Sequence, residues 1–178
     1  MRDRNIAIVG LGYVGLQVAV AFGKKEAVIA YDNNSLRIQE LSEGYDRTNE
    51  VSKKDLENKN LLFTSSLEDL KKSDFYIVAV PTPIDEFNEP DLTLLKNATA
   101  SVSKTLRKNN IIVFESTVYP GATEEVCASI IQKESSLIYK EQFFCGYSPE
   151  RINPGDKKHT ISNIKKITSG STPEIADL

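Results

Sequence analysis

The chain has 178 residues, of which 40% are hydrophobic and 26% charged, with a formal net charge of -3. That is enough for one sizeable core, and the acidic balance leaves no basic excess to neutralise nucleic-acid phosphates. Two cysteines build no disulfide framework, the short apolar start Ile6–Val9 is no secretory leader, and no stretch approaches the roughly 18 apolar residues of a membrane span, so a reducing, cytoplasmic setting without nucleic acid or membrane is expected.

Short apolar runs alternate with longer helical ones along the chain. Ile6–Val9 reads as a buried strand and Val14–Phe22, apolar except at Gly15 and Gln17, as a helix lying on a sheet. Ala27–Tyr31 is a second strand, and Ser35–Leu41 a helix capped by Asn34 or Ser35. Leu61–Phe63 is a weak third strand, followed by a short helix at Leu67–Leu70. Phe75–Val80 is the strongest strand pattern, Leu94–Leu106 a helix and Ile111–Phe114 a fifth strand. A helix from Thr123 to Ile131 carries Glu124 and Glu125 at its positive end. Phe143–Cys145 and Ile164–Ile167 read as later strands, and Ser171-Thr172-Pro173-Glu174 has the hydroxyl, proline and acid of a helix start. The alternation predicts an α/β fold, Rossmann-like and doubly wound, with a mostly parallel sheet and helices on both faces.

Gly10-Leu11-Gly12-Tyr13-Val14-Gly15 matches G-x-G-x-x-G between a buried strand and an apolar helix. In that context Gly10 makes the tight turn, Gly12 lets backbone approach a pyrophosphate, and Gly15 brings helix close to strand. The helix start, at Tyr13 and Val14, offers N–H groups to the anion. Asp32 ends the second strand, where an acid accepts hydrogen bonds from a ribose diol and repels a 2′-phosphate, so NAD is favoured over NADP. Arg37 either flanks the adenosine or is a solvated surface charge. Pro81 and Thr82 follow the fourth strand, Ser116 and Thr117 the fifth; loops at those ends face the nicotinamide side of such a crevice.

Four segments in order resemble the UDP-glucose/GDP-mannose dehydrogenase family of nucleotide-sugar 6-dehydrogenases: Gly10–Gly15, Val80–Pro83, Glu115–Gly121 and Gly146–Gly155. The resemblance covers nearly the whole chain. It implies oxidation of a UDP-sugar C6 alcohol to a carboxylate with two NAD and a cysteine thioester. It also implies that Thr117 helps position the catalytic water and that Glu150 is a base or water-orienting group. Arg151–Gly155 is similar to the loop of members acting on UDP-N-acetylglucosamine or UDP-N-acetylgalactosamine, which makes Arg151 and Asn153 substrate candidates. The family's nucleophilic cysteine, with its catalytic lysine, asparagine and aspartate, falls beyond residue 178. Cys127 and Cys145 do not match that motif and read as small buried hydrophobes, and His159 as a surface residue. No cluster of metal-ligand type is present in the sequence.

The expectation is an NAD-binding domain over residues 1–178, truncated before a central helix and a substrate domain, from a protein that dimerises when whole, with this piece a monomer. Two alternatives stay open. One is a 3-hydroxyacid or 6-phosphogluconate type dehydrogenase domain, against which the segment Glu115–Gly121 argues. The other is a non-enzymatic NAD-sensing module.

Overall fold

The computed structural model describes residues 4–151, 161 and 164–178. Strands β1 (Ile6–Val9), β2 (Val28–Tyr31), β3 (Leu61–Thr64), β4 (Phe75–Val78), β5 (Asn110–Phe114), β6 (Phe143–Tyr147) and β7 (Ser169–Gly170) form one sheet in the order β3-β2-β1-β4-β5-β6-β7. All neighbours pair in parallel except β7, which runs antiparallel to β6. β1 buries all four residues because both faces of a parallel sheet are covered.

Successive strand residues feed two cores. Ile6 and Ile8 face helix α1 (Tyr13–Gly23), together with Leu41 of α2 (Ser35–Ser42) and Leu56 of α3 (Lys53–Leu56). Ala7 and Val9 face the other way. They pack with Leu70 of α4 (Leu67–Leu70), Leu95 and Val102 of α5 (Thr93–Ser103), and Ile131 of α6 (Ser129–Ser135). The alternation follows from the two-residue period of a strand. A final short helix, α7, spans Pro173–Ala176 and is capped by Thr172, whose hydroxyl accepts from Ile175 N.

Two expectations are corrected, and one element was not expected. The helix expected at Thr123–Ile131 begins as a π-helix, Ala122–Ala128, behind Gly121 at φ +95°, and then becomes α6. The strand expected at Ile164–Ile167 is displaced to Ser169–Gly170. Ile167 is exposed, and Lys166 turns inward to an ion pair with buried Glu115 in place of pairing into the sheet. α3 was not foreseen, although Ser52 accepts from Asp55 N and donates to the Asp55 carboxylate, a local cap three residues long.

Candidate functional site

Strand order reverses between β1 and β4, and the crevice beyond their carboxyl ends is the expected ligand position in such a sheet. Two cavities lie there, of about 360 and 260 Å³, and they share Gly12, Ala79, Val80 and Pro81 as a common wall.

The larger cavity lies between Asp32–Asn34 and the α5 residues Leu94, Asn97, Ala98 and Ser101. Gly10 turns the chain at φ +93°, and its N–H donates to Tyr31 O at 2.9 Å. A Cβ on Gly15 would lie 1.9 Å from the Gly10 carbonyl oxygen, so only glycine lets α1 come this close. Gly12 is exposed and faces open space. It precedes α1 with no side-chain cap and no acid in the first turn. The N–H groups opening the helix therefore have no intrahelical acceptor, and nothing in the first turn opposes an anion. Asp32 takes Leu11 N–H on Oδ2 at 2.8 Å and Asn34 N–H on Oδ1 at 2.9 Å. Each oxygen keeps acceptor capacity toward the cavity it lines.

Arg37 departs from one of its two readings. It is not a solvated charge: the residue is 5% exposed. Its Nε donates to Leu11 O at 3.0 Å, and Nη2 bonds the Asp46 carboxylate at 2.7 Å. It is not among the residues that line either cavity. Among the described residues, no arginine lines the cavity beside Asp32.

The smaller cavity brings together Gly12, Tyr13, Val14, Pro81, Thr82, Ser116, Thr117 and Glu150, from four separate stretches of chain. Two hydroxyls tie its walls: Ser116 Oγ donates to Val80 O at 2.9 Å and Thr82 Oγ1 to Thr117 O at 2.6 Å. Burial, then the charges of Glu150 and Glu50, raise the Tyr13 phenol above its ordinary pKa. Arg151 is exposed and does not line this cavity; its Nη1 donates to Lys165 O at 3.4 Å. Asn153 and His159 lie outside the described residues. Glu115, buried and paired with Lys166, lines the cavity from beneath. That pair, like Asp46 behind Arg37, escaped the sequence reading. For Asp46 a signal existed: an acid two residues before a threonine is a common side-chain-to-backbone turn. For Lys166 the partner is 51 residues away, with no local pattern to connect them.

Both cysteines are free and about 1% exposed. Burial pushes the Cys127 thiol up to about 11 and Cys145 further still, which makes both poor nucleophiles. Among the described residues no group of histidine, cysteine, aspartate and glutamate is placed to hold a metal, and no helix is long and apolar enough to cross a membrane.

Residues 4–177 match the NAD-binding domain of the UDP-glucose/GDP-mannose dehydrogenase family. A UDP-N-acetyl-D-glucosamine 6-dehydrogenase of Pseudomonas aeruginosa is 58% identical over 100% of this chain and 42% of its own length. The protein CapL of Staphylococcus aureus is 57% identical over 99% of this chain, again 42% of its own length. Among solved structures, a UDP-D-ManNAc dehydrogenase from Pyrococcus horikoshii superposes with a TM-score of 0.87 at 30% identity, covering 97% of this chain and 42% of that one. The chain thus spans about two fifths of the length of the curated relatives it matches.

Proposed function

The chain belongs to the UDP-glucose/GDP-mannose dehydrogenase family, as its NAD-binding domain, and from that premise we propose that it serves a nucleotide-sugar 6-dehydrogenase acting on UDP-N-acetylglucosamine. One observation carries the reading. The glycine turn, the Asp32 carboxylate and the loops after β4 and β5 line two cavities with a common wall, at the point where the sheet reverses its order. The larger cavity has the fittings of an adenosine site, and the shared wall at Gly12 is open for a diphosphate. The smaller one then takes the nicotinamide and the sugar's C6.

NAD bound there accepts hydride; the chain's own residues bind, orient and move protons. Asp32 grips the ribose diol, and the start of α1 faces the diphosphate. Pro81, Thr82 and Ser116 shape the nicotinamide side. Oxidising an alcohol to a carboxylate removes four electrons, so each sugar consumes two NAD and one water. Thr117 holds that water and Glu150 takes its proton, a reading supported by both lining the same cavity. The thiol that the family uses is not Cys127 or Cys145, because both are buried and held protonated. UDP-N-acetylglucosamine is chosen over UDP-N-acetylgalactosamine by the name of the 58% identical relative. The non-enzymatic alternative is disfavoured by Thr117 and Glu150 meeting at one cavity, since a mere NAD sensor has no use for either.

The test is an assay of the whole protein against UDP-N-acetylglucosamine, UDP-N-acetylgalactosamine, UDP-N-acetylmannosamine and UDP-glucose, following NADH. Two NADH per UDP-N-acetylglucosamine, with slower use of the others, is expected. One NADH per sugar, or no turnover of any UDP-sugar beside tight NAD binding, overturns the proposal.

A further inference from the structure

Glu115 and Lys166 form an ion pair that the proposed chemistry does not use, with side chains 6% and 20% exposed. Its setting runs against the local pattern. Lys165, Ile167, Thr168 and Ser169 are all exposed, Ile167 to 58%, while the lysine among them turns in. Burying an ammonium beside an exposed isoleucine forgoes hydrophobic stabilisation, a departure that proteins make at functional positions. Glu115 directly precedes Ser116 and Thr117, and it lines the reacting cavity together with Thr117 and Glu150. Lys166 belongs to the stretch that runs beside Glu150. Gly146 pairs antiparallel with Gly170 and Tyr147 with Ser169, and Arg151 Nη1 donates to Lys165 O at 3.4 Å. Residues 146–151 and 165–170 are thus two legs of one ribbon, with Glu150 on the first leg and Lys166 on the second.

The loop after β5 is already held on its other flank. Glu115 N donates to Val78 O at 2.8 Å, Ser116 Oγ to Val80 O at 2.9 Å, and Thr82 Oγ1 to Thr117 O at 2.6 Å. Those bonds fix Thr117 against β4 and the loop behind it, and leave Glu150 untouched. Toward the ribbon, among the described residues, main-chain bonding ends with Ser148 N to Phe114 O at 3.0 Å, two residues short of Glu150. Beyond it the link is made by side chains, Lys166 Nζ donating to Glu115 Oε1. We infer that Glu115 and Lys166 are positioning residues for hydrolysis: their pair latches the Glu150 ribbon to the Thr117 loop and so sets both groups against one water. This rests on the roles proposed above for Thr117 and Glu150. In that step the water oxygen bonds the acyl carbon of the family's cysteine thioester, a water proton passes to Glu150, and the C–S bond breaks to release the thiolate. Both hydride transfers precede it, because the thioester is their product.

The experiment follows NADH from the whole protein with NAD and UDP-N-acetylglucosamine, as a pre-steady-state burst and as steady-state turnover, with calorimetric NAD binding beside it. The variants are Lys166→Met, Glu115→Gln, their combination, and Lys166→Arg. A loosened latch slows hydrolysis alone. Both single variants are therefore expected to keep a burst of two NADH per active site, to lose at least about ten-fold in steady-state turnover, and to accumulate acylated protein visible by mass. Their Kd for NAD should stay within about two-fold of the parent's. Lys166→Arg still pairs with Glu115 and should recover most of the turnover, whereas the double variant, neutral but unlatched, should stay as slow as the singles. Parental steady-state turnover in Lys166→Met overturns the inference. So does parental turnover in the double variant, since the pair would then only cancel a buried charge. A burst lost together with turnover, or an equal loss of NAD affinity, overturns it too, because the pair then serves the fold as a whole. If the single variants do not fold, the double variant, which leaves no lone buried charge, is read by the same criteria, and its own failure to fold also overturns the inference. If the parent turns over no UDP-sugar, the functional reading falls and this inference falls with it; if the parent gives two NADH per sugar and the variants behave in one of those ways, this inference alone falls.

Discussion

The two cavities of the crevice are built differently. Around the adenosine side, charge and backbone are interlocked: Asp32, Leu11, Arg37 and Asp46 form a continuous hydrogen-bonded chain, largely buried. Around the reacting side, the loops after β4 and β5 are held to each other by two hydroxyls, and Thr117 and Pro81 are exposed. A cofactor's constant part rewards a rigid cradle, since preorganised donors cost no ordering on binding. The half where the substrate changes stays open to what approaches it. If that contrast is real, damage to the first cavity acts on affinity and stability, and damage to the second acts on turnover.

The largest effect should come from Gly15→Ala. Its new Cβ would sit 1.9 Å from the Gly10 carbonyl oxygen, and backbone cannot yield as a side chain does. Loss of more than about 4 kcal/mol of stability is expected, read as a collapsed thermal midpoint together with lost NAD binding. A folded, NAD-binding Gly15→Ala protein would break the picture of a rigid cradle. Asp46→Ala comes next. It leaves the buried Arg37 guanidinium with only Leu11 O and the more distant Glu40 carboxylate at 3.9 Å, at a cost of about 3 kcal/mol.

The same carboxylate sets a pH signature. Burial by itself would raise the Asp46 pKa, but hydrogen bonds from Thr48 and Arg37 outweigh it and hold the group below the ordinary carboxylate range. A lowered folded pKa contributes stability that is present above the unfolded value, near 4, and is lost as pH falls through the folded one. Denaturant melts of the parent should weaken on acidification below about pH 4, and Asp46→Asn should flatten that dependence.

Glu150→Gln sharpens the contrast from the other side. On the proposed role of Glu150 as base, its loss should cost about 10²- to 10⁴-fold in turnover while the Kd for NAD stays at the parental value. An equal loss of NAD affinity would place Glu150 among the cofactor ligands instead. Asp32→Ala is expected to do the reverse, weakening NAD about ten- to a hundred-fold by calorimetry, the worth of charged hydrogen bonds to a diol. Unchanged affinity would remove its ribose role.

How much of this the residues announced divides along the same line. The glycine turn, Asp32 and the strands around them are local signals: apolar runs of strand length, a fixed motif, an acid closing β2. The structure puts those residues on one crevice with little displacement. Arg37 was ambiguous because whether an arginine is solvated or buried depends on what lies nine residues further on, and Asp46 gave only the faint mark of a turn. The π-helix and the two-residue β7 were illegible for a different reason. Their form is set by packing against α5 and β6, not by periodicity in their own residues. At Ile164–Ile167 the apolar ends misled: Ile167 is exposed, and Lys166 turns inward to Glu115, in the loop just after β5.

Thr82→Val gives the smallest effect and the finest test of the contrast. Thr82 Oγ1 donates to Thr117 O at 2.6 Å, one of the two ties between the loops. Valine keeps the shape and removes the donor, leaving a carbonyl that is near water and readily rehydrated. The expected cost is therefore about 0.5–1.5 kcal/mol, a fall of a few degrees in thermal midpoint for a chain of this size. NAD affinity should hold within about two- to three-fold if the loops merely support each other. A large drop in affinity with no change in thermal midpoint would mean that the hydroxyl serves the cofactor directly. The reacting side would then be organised by its ligand, and its openness would be a property of the empty crevice alone.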